Sequence, residues 1–163
     1  MDNIRNEVID CCKKMHFEAA RTLCAKSISS SHTSQEKARV LVWLSYVEAQ
    51  SGNQEGRLKA LLQGKTIDPN NKAILFCLTQ FYYEDLQYRQ CLLLTKQLIS
   101  AEKNLDSQPF SNNAFFYQAL SYIGLGNKVK AIDAIDQCSA EHEELLDRNF
   151  LTVENVRIMI SKI

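Results

Sequence analysis

The chain has 163 residues, 45% hydrophobic and 23% charged, and its 19 basic and 19 acidic side chains cancel. It is long enough to bury a core, too apolar for general disorder, and lacks the basic excess that nucleic-acid or anionic-membrane surfaces need. Its apolar runs are too short to span a bilayer, and the polar start "MDNIRNEVID" lacks a signal peptide's apolar core. Met1 reads as a natural start, whereas Ile163 fits a true end or a boundary within a longer chain. The expected location is cytoplasmic.

Apolar residues recur at three- and four-residue spacing, and no period-two run bounded by turn residues interrupts them. The expected fold class is therefore all-α, without a sheet. The pattern predicts helices over 2–13 and 17–29, then a polar link, "SSSHTS", at 29–34. Helices follow over 35–51 and 54–66, parted by Gly52-Asn53, and over 72–85 and 88–103, beyond Pro69. A second polar link at 103–111 contains Pro109 and precedes helices over 111–124 and 128–139, parted by Gly126-Asn127. One or two last helices are expected within 141–163, where Val156, Met159, Ile160 and Ile163 form a stripe. Both prolines fall between helices, and the short links imply antiparallel neighbours.

The segment "GNQEGRLKALLQGKTIDPNN" reads as a Gly-Asn turn, a helix, and Asp68-Pro69-Asn70-Asn71. It resembles the second half of a tetratricopeptide repeat. Registering the chain on Pro69 gives repeat units at about 1–33, 38–71, 72–106 and 112–140, and a C-terminal capping helix over 150–163. Ala20, Arg57, Cys91 and Ala131 become equivalent. Ala20, Cys24 and Ser27, then Leu61, then Cys91, Thr95 and Leu98, and finally Ala131, Ile135 and Cys138 take packing positions of the second helices. Arg57, Glu7 and Gln118 depart from the family pattern, and Pro69 is the only repeat proline. The resemblance implies one domain: a right-handed superhelical stack of antiparallel helix pairs, a tetratricopeptide-like α-solenoid of about three to four repeats. In such a stack each hairpin buries its apolar face only against its neighbours.

The six cysteines form no C-x-x-C pair and match no zinc or disulfide framework. Cys11, Cys24, Cys91 and Cys138 are expected at packing positions, with Cys12 and Cys77 on the more accessible inner face. No catalytic, cofactor or metal site is expected. "GLGNK" at 124–128 lacks P-loop spacing and reads as a turn between helices. "EHEELL" at 141–146 reads as a solvated helix face, and Glu84 and Asp85, adjacent on a helix, point apart.

In a solenoid the first helix of each repeat lines a concave groove. The inward positions hold Val42, Trp43 and Tyr46, then Phe76, Gln80 and Tyr83, then Phe116, Tyr117 and Leu120. The clamp that tetratricopeptide modules use for acidic chaperone tails would fall on Arg5, Ile9, Trp43, Ala73 and Cys77, and only Arg5 suits it. The expected function is a non-enzymatic scaffold or adaptor, alone or as part of a multisubunit complex. It would bind an apolar segment or amphipathic helix of a protein partner, with Trp43, Tyr46, Phe76 and Tyr83 as anchors. Two alternatives are a small chaperone of the type III secretion kind and a self-associating homodimer. The same aromatic stripe also fits a self-packed core.

Overall fold

Amphipathic runs bounded by turn and capping residues give helices wherever an apolar stripe can be buried. The structure, a computed structural model, describes residues 2–102, 110–146 and 149–163. Its helices are α1 (Asp2–Lys13), α2 (Phe17–Ser30), α3 (Ser34–Gln50), α4 (Gln54–Ile67), α5 (Lys72–Glu84), α6 (Tyr88–Glu102), α7 (Ser111–Gly124), α8 (Lys128–Ile135) and α9 (Val153–Ser161). Between α8 and α9 lie two short strands, β1 (Glu143–Leu146) and β2 (Asn149–Thr152). Among the described residues, no helix is long and apolar enough to cross a membrane.

Backbone packing divides the chain into two compact units, Met1–Cys77 and Leu78–Ile163, with the division inside α5. In the first unit α1 packs on α2 and α3, α2 on α3, and α3 on α4. Val8 and Cys12, Ala20 and Cys24, and Val40 and Val47 form a buried cluster, with Phe17, Leu23 and Trp43 packed against it. Cys12 is thus core and not accessible inner face, because α1 turns it toward this cluster; Cys11 is the half-buried one. A capping box starts α3: Thr33 Oγ1 accepts from Glu36 N at 3.1 Å, and Glu36 Oε2 accepts from Thr33 N at 3.2 Å.

In the second unit α6 packs on α7, α7 on α8 and α9, and α9 on α8 and β2. Phe110 at the N-cap of α7 offers no side-chain cap. Glu102, buried at the end of α6, supplies one: its carboxylate accepts from Phe110 N at 3.0 Å and Ser111 Oγ at 2.6 Å.

Two sequence expectations fail here. The α8 helix stops at Ile135, short of 139, and Gln137 N and Cys138 N bond three residues back. Asn112 on α7 holds the following turn, its carbonyl accepting from Cys138 Sγ and its Oδ1 from Ser139 N. Beyond it, β1 and β2 pair antiparallel, with Leu145 opposite Phe150, where no sheet was expected. Asn149–Thr152 also removes the start of the expected 150–163 helix.

One turn recurs four times. Met15, Gly52, Leu86 and Gly126 have φ of 59°, 77°, 58° and 67°. In each case the N–H of that residue bonds three back, to Cys12, Ala49, Tyr83 or Ile123. The next N–H bonds five back, to Cys11, Glu48, Tyr82 or Tyr122. These are Schellman-type endings. The following helix then opens with Ala20, Arg57, Cys91 or Ala131 N donating to the carbonyl just after the left-handed residue. Ala20, Cys91 and Ala131 are fully buried, while Arg57 is half-buried. In "GLGNK", Gly126 is the left-handed residue, Asn127 Oδ1 caps α8 through Lys130 N at 3.1 Å, and Lys128 and Lys130 are exposed.

Candidate functional site: an apolar cleft on α1 and α3

Residues four apart share a helix face. On α3, Val42 and Tyr46 form such a pair, with Trp43 beside them; on α1, Arg5 and Ile9 form another, with Val8 beneath. Together these six line a cleft of about 330 Å³. Counted back from the left-handed turn residue, Arg5 is equivalent to Val42 and Ile9 to Tyr46. The cleft is therefore the same helical face used twice.

Tyr46 is 42% exposed, so its ring forms an open wall. Trp43 is half-buried and also lines a smaller hollow of about 160 Å³ with Ser27, Ser31 and Glu36. Among the described residues lining the larger cleft, Arg5 alone is charged. Such a site can hold an apolar side chain and offer a guanidinium to a neighbouring carboxylate.

Of the groove positions expected from sequence, the structure brings Val42, Trp43 and Tyr46 together. Phe76, Gln80 and Tyr83 are half-buried on α5, and Tyr83 packs on Tyr88 and Tyr117, with ring centroids 6.0 and 5.4 Å apart. Phe116, Tyr117 and Leu120 are corrected to core, exposed by 0%, 0% and 2%. Rings of the same unit cover two of them: Tyr83 meets Tyr117, and His142 makes a T-shaped contact with Phe116, ring centroids 5.3 Å apart. Val8 carried no groove assignment from sequence; Arg5 and Ile9 were matched only to clamp positions, although they repeat the Val42 and Tyr46 spacing.

"EHEELL" is likewise no solvated helix face. Glu144 is buried on β1, and its Oε2 accepts from Asn113 Nδ2 of α7 at 2.6 Å. Burial raises the Glu144 pKa, against the opposing pull of the Asn113 hydrogen bond. Burial also lowers the His142 pKa, opposed by nearby Glu143. His142 Nε2 lies 3.7 Å from Glu144 Oε2, too far for a hydrogen bond, and has no hydrogen-bond partner among the described residues. A His held neutral makes this a polar contact rather than an ion pair.

No protein-family model, curated protein or solved structure matches the chain. Among the described residues, no group of three or more His, Cys, Asp or Glu side chains could hold a metal ion. The case for function therefore rests on the cleft.

Proposed function

We propose that this protein is a non-enzymatic protein-interaction module of stacked helix-turn-helix units, a solenoid of the tetratricopeptide kind. Its cleft between α1 and α3 holds an extended segment of a protein partner, with an apolar side chain against Val42, Trp43 and Tyr46 and an acidic neighbour against Arg5. The carrying observation is that equivalent positions of two successive units, Arg5 with Val42 and Ile9 with Tyr46, line one apolar cleft. Supporting it, the same turn joins four pairs of consecutive helices, and α1 packs on both α2 and α3. Repeated hairpins that pack on their neighbours present such faces as continuous binding surfaces.

Trp43 is the sole tryptophan, so the protein's tryptophan emission comes from a residue lining the cleft. The test compares capture of partners from host extract by wild type, Tyr46→Ala and Arg5→Glu, then titrates the captured segment against Trp43 fluorescence. Both variants should weaken capture about ten-fold or more, and binding should shift the Trp43 emission. Equal capture by all three proteins, or an unmoved emission, overturns the reading.

A further inference from the structure

Helix α8 carries its end charges against its own dipole. Anions are stabilising near a helix N-terminus and cations near its C-terminus. Here Lys128 is the first residue of α8 and Asp136 is its C-cap, with no acidic residue in the first turn and no basic one in the last. Contacts within the chain offset this only in part. Lys128 Nζ reaches the Ser161 carbonyl at 3.5 Å, and Arg157 Nη2 donates to Asp136 Oδ1 at 2.9 Å in a half-exposed pair.

Lys128, Ile132 and Asp136 are spaced four apart, so they share one face over about 12 Å of helix. All three line a hollow of about 350 Å³ between α8 and α9, where Ile135 and Ile160 add apolar wall. Ile132 and nearby Val129 remain exposed.

The order along this face is cation, apolar centre, anion, and reversing it gives its own complement. A second α8 laid antiparallel on the first brings Lys128 to Asp136, Asp136 to Lys128 and Ile132 to Ile132. Each charge then lies beside the pole of the neighbouring helix that favours it, which its own helix end does not supply. A parallel pairing would instead set like charges together. A two-fold interface demands this self-match, because every contact in it is made twice.

We infer that the α8–α9 face pairs two copies of this chain about a two-fold axis. Helix α8 runs antiparallel to its counterpart, with Ile132 at the axis and Lys128 of each copy against Asp136 of the other. Arg157 bonds one oxygen of Asp136, and a carboxylate accepts at both, so Lys128 adds to that pair without displacing it. The surface shares no residue with the α1–α3 cleft, so it is tested apart from the interaction-module reading.

The measurement is sedimentation equilibrium of the intact protein over a concentration series up to about 1 mM. The wild type should rise from the mass of one chain toward that of two. Lys128→Asp and Asp136→Lys each set like charges together across the axis, and each should weaken pairing about ten-fold or more. Both changes suit the dipole of α8, so each variant should keep the wild-type Tm or exceed it. An equimolar mixture of the two variants should pair about as tightly as wild type, because each then offers the other opposite charges. Ile132→Asp should abolish pairing throughout the series. A wild type that stays at one chain's mass, single reversals that pair as wild type does, or a mixture no better than its components overturns the inference.

Discussion

Arg21 grips Glu48 with two parallel hydrogen bonds of 2.8 Å, from Nε to Oε1 and from Nη2 to Oε2, tying α2 to the end of α3. Asn53, in the turn, donates to the same carboxylate at 2.9 Å, and Ser51 Oγ accepts from Arg21 at 2.9 Å. Glu48 is buried, so removing Arg21 leaves its charge without a counter-charge, held only by Asn53 and Ser51. Arg21→Ala should destabilise the protein by about 2 kcal/mol in urea unfolding, with Arg21 partly exposed and the effect reduced accordingly. The Arg21 hydrogen bond, ahead of opposing desolvation, lowers the Glu48 pKa. A lowered folded-state value stabilises above the ordinary glutamate pKa, about 4.3, and the gain is lost as pH falls through the folded value. The deficit of Glu48→Gln relative to wild type should therefore shrink below about pH 4.

The four turns predict opposite responses to substitution. Gly52 and Gly126 have nothing within 4 Å of an added Cβ, so alanine there meets only backbone strain. Gly52→Ala and Gly126→Ala should each cost about 1 kcal/mol. Met15 and Leu86 already bear that strain and are 75% and 69% exposed. Met15→Gly and Leu86→Gly should be neutral or stabilising by up to about 1 kcal/mol, read as a rise in Tm. Losses of 2 kcal/mol at the latter pair would show that their side chains are needed.

The β1 strand predicts a dependence on pH. A raised Glu144 value means its stabilising share is full below the ordinary glutamate pKa and is lost as pH rises through the folded value. Glu144→Gln, which keeps an acceptor for Asn113, should gain about 1 kcal/mol over wild type at pH 8 and nothing near pH 4. His142 has the opposite sign: its lowered value gives a contribution present above about 6.5 and lost on acidification. His142→Phe keeps a ring on Phe116 and should flatten the loss of stability between pH 7 and 5. Thermal unfolding across this range checks both.

The cysteines should divide by burial. All six are free thiols. Burial pushes Cys24 up to about 12, and Cys91 and Cys138 up to about 11, leaving little thiolate at pH 8. Two thiols, Cys11 and Cys77, should react quickly with a disulfide reagent in the native state. The other four should wait for unfolding. Fast reaction of four or more would contradict the burial of Cys12, Cys24, Cys91 and Cys138.

Helix placement was readable because each helix carries its own apolar stripe and its own end signals. The limits of α1 and α7 agree with expectation, and α2 to α6 end within a residue of it. The buried stripes of the second helices were readable too: Ala20 and Cys24, Leu61, Cys91, Thr95 and Leu98, and Ala131 and Ile135 are all buried. The turns at Met15 and Leu86 carry no glycine, so their likeness to Gly52 and Gly126 appears only in φ and hydrogen bonding. The hairpin was hidden for a different reason. Its alternation is inverted, with Glu144 inside and Leu145 and Phe150 outside, so hydropathy points the wrong way.

The sequence by itself determined the helices, the turns between them and which residues share a helix face: Val42, Trp43 and Tyr46 on α3, and Phe116, Tyr117 and Leu120 on α7. Local forces are enough for this, because stripe periodicity, caps and turns act within a few residues. Only the tertiary structure decided which of these faces is open. In the second unit His142 and Tyr83 reach back over Phe116 and Tyr117, while in the first Arg5, Val8 and Ile9 leave a cleft beside Val42. Burial depends on what arrives from elsewhere in the chain, and helical periodicity carries no record of that.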